Sequence, residues 1–269
     1  MSESKNKVQS PVKAKKHLGQ HFLKDKEIAR KIAESLNLET TTSVLEIGPG
    51  TGVLTQFLLL DKNIELTAIE LDHESVVFLK EEFCQLNVIE GDFLKLDLKS
   101  IFNSRFCVIG NFPYNISSQI FFKMLDNKDD IPCLVGMIQK EVAERIAAPP
   151  GSKTYGILSV LLQAYYTIEY LFTVHEHVFD PPPKVKSAVI RLVRNKVLSI
   201  DCDEKLFKLV VKTAFNQRRK TLRNSLKSIM EKDNSVCSNP IFDLRPEQLD
   251  VQAFVRLTNI VQDSQISKI

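Results

Sequence analysis

Between Lys24 and about Asn195 short apolar runs alternate with longer amphipathic stretches, and this alternation constrains the fold more than any other feature of the chain. The strand-like runs are Ser43–Ile47, Ile64–Ile69, Leu86–Ile89, Phe106–Ile109, Cys133–Ile138, Ile168–Val174 and Ala188–Val193. Helical spacing of apolar residues covers Lys26–Leu36, Val53–Leu60, Ser75–Phe83, Ser117–Leu125, Lys140–Ala147 and Gly156–Tyr165. Strand and helix taking turns predict an α/β fold, a doubly wound, Rossmann-like sheet with helices on both faces. Only a polar, proline-rich loop separates the last two strand candidates, which predicts an antiparallel hairpin at one edge. After Asp201 the strand signal disappears, and Leu206–Phe215, Thr221–Ile229, Pro246–Leu249 and Val251–Val261 read as short helices. The expected organisation is a flexible basic arm over 1–16, an α/β domain over 17–198 and a small helical domain over 199–269.

Composition narrows the class. At 269 residues and 43% hydrophobic, the chain can build one substantial core and a smaller appended domain. No apolar run approaches the roughly 20 residues that span a bilayer, and the polar N-terminus lacks the apolar centre of a secretory signal. The expected location is therefore cytoplasmic, with no membrane partner. Cys84, Cys107, Cys133, Cys202 and Cys237 form no C-x-x-C pair and have no histidine at ligand spacing, so reduced thiols and no metal site are expected. A net charge of +3 is too mild to argue for nucleic acid, so the distribution of basic residues has to carry that question. No heptad or apolar stripe demands a second subunit, and a monomer is expected.

Val44-Leu-Glu-Ile-Gly-Pro-Gly-Thr-Gly52 is a strand running into a glycine-rich turn ahead of a helix. Glycines at Gly48 and Gly50 allow strained dihedrals and close approach of backbone to a ligand. The spacing is not that of a dinucleotide fold, and no Gly-Lys-Ser/Thr follows for a triphosphate. Glu70 ends the second strand, where an acid can accept from both ribose hydroxyls of a nucleoside. Asp92 lies just past the third strand and can accept from an adenine amino group. Singly, each is an ordinary turn or a strand-end acid facing water. Three such elements in order at successive strand ends point to a nucleoside-type ligand.

Gly110-Asn-Phe-Pro-Tyr-Asn-Ile-Ser117 follows the fourth strand. An adenine amino nitrogen is a poor nucleophile because its lone pair is delocalised into the ring. Two acceptors gripping its hydrogens pull it toward tetrahedral geometry and return density to the lone pair. The side-chain oxygen of Asn111 and the main-chain carbonyl of Phe112 can be those acceptors, with Pro113 stiffening the turn. Tyr114 can stack on the base, a contact worth roughly 1–3 kcal/mol. With a sulfonium methyl donor, such a site needs neither metal nor strong base. Elsewhere in a chain the same tetrapeptide would be a plain turn.

With these residues in view, the chain resembles the rRNA adenine dimethyltransferase family of the bacterial KsgA type. The resemblance runs from about Lys16 to Lys227. It rests on Leu18-Gly-Gln-His-Phe-Leu23, the EIGPGTG turn, IELD, EGDF, GNFPYNIS, Gln139-Lys-Glu-Val-Ala-Glu-Arg145, Phe179-Asp-Pro-Pro-Pro-Lys-Val-Lys-Ser-Ala-Val189 and Phe215-Asn-Gln-Arg-Arg-Lys-Thr-Leu-Arg-Asn-Ser-Leu226. It implies a class I methyltransferase sheet and S-adenosyl-L-methionine (SAM) as cofactor, with contacts on His21, Leu23, Gly48, Glu70, Asp92 and Asn111. His21 stands where the family commonly has asparagine, and its protonation would make cofactor binding pH-sensitive. The resemblance also implies Phe179 as the second face of an aromatic clamp opposite Tyr114. The family places two methyls on each of two adjacent adenines in a hairpin near the 3′ end of small-subunit rRNA. A stacked adenine must be turned out to reach Asn111, at a cost of a few kcal/mol.

Basic residues gather at Lys184, Lys186, Arg191, Arg194 and Lys196, and again at Arg218, Arg219, Lys220, Arg223 and Lys227. On a continuous helix Arg219 or Lys220 would share one face with Arg223 and Lys227, a stripe able to follow phosphates. A solvated helix face has the same look, so beside an adenine site RNA is the expected partner, with the pre-30S particle as its setting. Three other readings stand beside this one. They are a resistance-type enzyme of large-subunit rRNA, a DNA adenine methyltransferase, and a noncatalytic ribosome-assembly or nucleic-acid-binding factor.

Overall fold

A computed structural model of the chain describes residues 12–230 and 238–266; Lys5 and Lys7 of the basic arm, and Cys237, lie outside the described residues. The chain runs β1 (Phe22–Leu23), α1 (Lys26–Glu34), β2 (Ser43–Ile47), α2 (Thr55–Leu58), β3 (Glu65–Glu70), α3 (His73–Glu82), β4 (Asn87–Glu90), α4 (Leu98–Ile101), β5 (Cys107–Asn111), α5 (Ser117–Asp126), β6 (Cys133–Gln139), α6 (Lys140–Ala147), α7 (Ile157–Gln163), β7 (Tyr166–Val174), β8 (Phe179–Asp180), β9 (Ser187–Arg194), α8 (Glu204–Asn216), α9 (Leu222–Ser225) and α10 (Val251–Ile266). It divides into two compact units, Met1–Lys140 with Leu171–Arg191, and Glu141–Tyr170 with Leu192–Ile269.

In the sheet the strand order is β4-β3-β2-β5-β6-β9-β7. The pairs β2 with β3, β2 with β5, β3 with β4 and β5 with β6 are all parallel. Covered on both faces, β5 and β6 read as nearly continuous apolar runs and are buried along almost their whole length. β4 closes the opposite edge and is only partly covered. The amide of Lys140, just past β6, donates to Lys186, just before β9. That of Asn195, just past β9, donates to Tyr165, just before β7. β9 therefore runs opposite to both neighbours, as the proline-rich connection suggests.

From β2 the chain winds outward through β3 to β4, then crosses back to lay β5 on the other side of β2. The reversal opens a crevice at the carboxyl ends of β2 and β5, where open α/β sheets take their ligands. Helix α1 begins where Asp25 accepts from the amides of Glu27 and Ile28, and it buries Ala29 and Ile32. A fully buried side chain of the size of Ile32 contributes roughly 1.5–3 kcal/mol.

In the second unit α8 starts at the cap Asp203 and buries Phe207, Val210, Val211 and Ala214, one face of the helix. Phe215 packs on Tyr155 at 6.1 Å and on Phe254 at 5.9 Å between ring centroids. The helix expected over Thr221–Ile229 is one turn, α9, and the segment after it reads as turns. Pro246–Gln248 is a 3-10 turn. The two-residue strands β1 and β8, which pair antiparallel, have no counterpart in the sequence pattern, and neither does α4.

Among the described residues no helix is long and apolar enough to cross a membrane, and no cluster of His, Cys, Asp or Glu could hold a metal ion. Among the described residues Cys84, Cys107, Cys133 and Cys202 form no disulfide.

Candidate active site

The crevice is an open cavity that takes in about 910 Å³, the solvent at its mouth included. Its walls come from the carboxyl ends of four successive sheet strands and from the segment Leu18–Phe22. Gly48, Gly50, Glu70, Asp92, Asn111, Phe112, Pro113, Tyr114 and His21 all line it, so the structure brings together most of the residues expected from sequence. Leu23 is the exception among the expected cofactor contacts. It is buried and lines a smaller cavity behind the glycine turn.

At one end the chain itself arranges the polar groups. Gly48 and Gly50 have φ of 65° and 58°, in the left-handed region where a side chain is strained. A Cβ on Gly50 would also lie 2.8 Å from the Phe22 ring. The turn thereby points the Gly50 amide at Glu70, which accepts it at 3.0 Å through Oε2 while Oε1 accepts the amide of Asp72 at 2.9 Å. Burial pushes the Glu70 carboxyl above its ordinary pKa, and these amides oppose the shift. A carboxylate offers about four acceptor positions, so Glu70, which the Leu71 amide also approaches, keeps one for a ribose hydroxyl. Asp92 follows β4, accepts from the amide of Leu94 at 3.0 Å and keeps its second oxygen near Lys95, 3.6 Å away. Glu46 lies behind the turn, fully buried, and accepts from Thr55 Oγ1 at 2.7 Å. Burial pushes its carboxyl up to about 8.

At the other end distant segments meet. Asn111 donates through Nδ2 to the main-chain carbonyl of His21 at 2.9 Å. A carbonyl only accepts, so this bond fixes which way the amide points and leaves Oδ1 as the acceptor. The Phe112 ring packs over Gly110 and Gly136, where added Cβ atoms would approach it to 2.9 and 2.5 Å. Its amide donates to Met137 at 3.0 Å, whereas its carbonyl takes no bond among the described residues. The Tyr114 hydroxyl is bonded to Ser187 Oγ, and burial raises its pKa. Its ring lies 5.4 Å from that of His21. His21 Nδ1 lies 2.7 Å from the carbonyl of Pro181 and must carry the proton in that bond. Neither Ser187 nor the Pro181 carbonyl was legible as part of the site.

The N-terminal wall is tied down rather than loose. Lys15 pairs with Asp72 and Glu74, and Gln20 also reaches Asp72. Burial alone would push the Asp72 carboxyl up, but bonds from Lys15, Gln20 and Ser75 hold it below its ordinary value. Within the stretch 1–16 expected to be a flexible arm, Lys15 is thus held in place.

Two further expectations need correction. Phe179 is 1% exposed, drawn into the interior by the pairing of β8 with β1, so its ring does not lie open opposite Tyr114. The basic stripe is not one helical face, because α8 ends at Asn216, turns occupy 217–220 and α9 stops at Ser225. The cause is visible at Arg218. Its guanidinium donates to the Ser152 carbonyl at 3.2 Å and lies 3.8 Å from Glu247, tying turn 217–220 to loop 149–156. Arg223 is paired with Asp243 at 2.6 Å. Arg219, Lys220 and Lys227 are exposed, as is Lys153 beside the Arg218 tie, a residue the sequence reading passed over. Lys184 and Lys186, in the first unit, are also exposed.

Comparison with known proteins gives a consistent result. A family model described as "Ribosomal RNA adenine dimethylase" matches residues 12–261. The "Ribosomal RNA small subunit methyltransferase A" of Phocaeicola vulgatus is 64% identical over 254 residues, 93% of this chain and 90% of the relative. The protein of that name from Cytophaga hutchinsonii is 60% identical over 253 residues, 93% and 98% of the two. Among solved structures, a dimethyladenosine transferase from Plasmodium falciparum has a TM-score of 0.77 at 26% identity, covering 91% of this chain and 99% of its own. The 23S rRNA methyltransferase ErmE has a TM-score of 0.66 at 25% identity, covering 90% and 99%.

Proposed function

The chain belongs to the family of ribosomal RNA adenine dimethylases, and on that basis we propose that it uses SAM to dimethylate the N6 amino groups of two adjacent adenosines in the 3′-terminal hairpin of small-subunit (16S) rRNA. The observation that carries this reading is the orientation of Asn111. Its Nδ2 is spent on the His21 carbonyl, so Oδ1 is the side-chain acceptor beside an unbonded Phe112 carbonyl.

The residues present suit such a cofactor. Glu70 keeps an acceptor position for a ribose hydroxyl, Asp92 keeps one for an amino group, and the glycine turn leaves backbone exposed to the cavity. When bound, SAM supplies an electrophilic methyl group and retains on sulfur the electron pair of the broken bond. The chain does the rest by placement. Asn111 Oδ1 and the Phe112 carbonyl accept the two amino hydrogens and return density to the nitrogen lone pair. Tyr114, anchored on Ser187, offers a face on which the flipped adenine stacks. The methylated amine, briefly cationic, loses a proton to solvent and needs no strong base on the protein. Completing both adenines takes four transfers.

The proposed partner is small-subunit rRNA in the pre-30S particle, met in the cytoplasm by a monomer. The division at 198 assigns chemistry to the α/β part and RNA contacts to both parts, through Lys153, Lys184 and Lys186 in one and Arg219, Lys220 and Lys227 in the other. Identity above 60% to small-subunit enzymes, against 25% to ErmE, favours the small subunit over the large. A noncatalytic role is disfavoured because Glu70, Asp92 and Asn111 are all present in one cavity. The test is methyl transfer from labelled SAM to unmethylated small subunits, large subunits and free rRNA, followed by nucleoside analysis. Dimethyladenosine confined to small-subunit rRNA is the expected outcome. Label on large subunits would move the assignment to the resistance type, and SAM binding without transfer would overturn it.

A further inference from the structure

Lys123 sits in the last turn of α5, half-buried, and belongs to no motif. Its ammonium donates to the main-chain carbonyls of Phe93 (2.5 Å) and Leu96. The same nitrogen lies 4.9 Å from the centroid of the Phe93 ring. The residues it grips form one tight turn after β4, in which the amides of Lys95 and Leu96 donate back to the Asp92 carbonyl at 2.9 and 3.2 Å. Asp92 Oδ1 caps the turn from inside by accepting from Leu94. Gly91, Asp92, Phe93 and Leu94 all line the cavity.

A lysine bonded to carbonyls instead of a carboxylate loses hydration without gaining a counter-ion in contact. Burial accordingly pushes its pKa down, and the nearby charges of Asp92 and Asp97 only partly oppose this. Such a placement has a mechanical reading: one cation clamps two peptide carbonyls and an aromatic face, and so holds a short turn that has no sheet partner.

We propose that Lys123 is a positioning residue that sets the adenine specificity of the cofactor site by holding the Asp92–Leu96 turn, a role that rests on reading Asp92 as the acceptor for the cofactor's adenine amino group. Lys123 touches no substrate. Its effect reaches the ligand through Asp92, and it is therefore visible in discrimination between bases.

The experiment is calorimetric binding of S-adenosylhomocysteine and of S-inosylhomocysteine, which carries a carbonyl oxygen in place of the amino group, to wild type and Lys123→Met. Wild type should prefer the adenosyl ligand by about tenfold or more, the scale of a hydrogen bond to a charged acceptor. Lys123→Met should compress that preference to about threefold or less, mostly by weakening the adenosyl ligand. Retention of the full preference overturns the proposal, and so does equal weakening of both ligands, which would make Lys123 a merely structural prop. No preference in wild type means that the reading of Asp92 fails, and the role of Lys123 with it. If Lys123→Met does not fold, Lys123→Gln, too short to reach both carbonyls, carries the same comparison.

Discussion

The two ends of the cavity are built on different scales. At the cofactor end the side chains that matter are bonded to residues no more than 20 positions away. Glu70 holds Gly50 and Asp72, Asp92 holds Leu94, and Glu46 holds Thr55. At the base end the side-chain ties of Asn111, Tyr114 and His21 span 73 to 160 residues. Asn111 reaches back to His21, Tyr114 forward to Ser187, and His21 across to Pro181. The cofactor end is thus a property of a strand–turn–helix and the strand beside it. The base end exists only once three remote segments have docked, so substitutions at the two ends should fail in different ways.

The largest expected effect separates the two ends directly. Asn111→Ala removes one of the two acceptors that act on the reacting nitrogen, a loss expected to lower kcat by about 10²–10³-fold. Glu70→Gln leaves the chemistry alone and forces an amide donor against one of two backbone amides or a ribose hydroxyl. Its expected signature is a SAM KM raised about tenfold or more with kcat at saturation nearly unchanged. Steady-state kinetics on small subunits checks both. Equal losses in kcat and KM from the two variants would break the contrast between the ends. Asn111→Ala protein, dead but folded, also tests the assembly role: no affinity for immature small subunits would remove it.

Stability against pH gives the next effect, and it belongs to the cofactor end. Glu46 is held protonated by burial up to about pH 8, whereas in the unfolded chain it ionises near its ordinary value of 4.5. Between these values the folded state holds a proton that the unfolded state releases, so stability falls as pH rises through that window. The slope is about 1.4 kcal/mol per pH unit while it lasts. Glu46→Gln keeps a partner for Thr55 and removes the slope. Thermal melts from pH 5 to 8 should show the wild type losing stability relative to Glu46→Gln, by about 2–3 kcal/mol at pH 7 to 7.5. Parallel curves would mean that Glu46 is already ionised in the folded protein.

This difference in scale also explains what could be read before any coordinates. The alternation of elements, the glycine turn and the acids at Glu70 and Asp92 are local patterns, and each lies where its spacing places it. Asn111 and Tyr114 were legible as chemistry, but their anchors were not. Nothing near Ser187 says that it meets a tyrosine 73 residues earlier, and two-residue strands leave no periodicity. Phe179 shows the same limit, since its motif is plain while its burial depends on pairing with Leu23. The basic stripe failed for a related reason. Helical spacing from 219 to 227 is real in the sequence, but the bonds of Arg218 to Ser152 and Glu247 turn the chain before a helix can carry it.

The smallest effect is the most direct test of a long tie. Tyr114→Phe keeps the stacking face and loses only the hydroxyl bond to Ser187, a net contribution of about 0.5–1.5 kcal/mol. Ser187→Ala removes the same bond from the other side. If the bond serves to hold the ring where the flipped base arrives, each variant should lower kcat/KM for RNA by roughly two- to tenfold, and the double variant by little more than either. Affinity for S-adenosylhomocysteine should not move in any of the three, because Tyr114 is placed for the base and Glu70 for the nucleoside. Full additivity would show that the hydroxyl and Ser187 act separately, leaving Asn111–His21 to hold the base end without them.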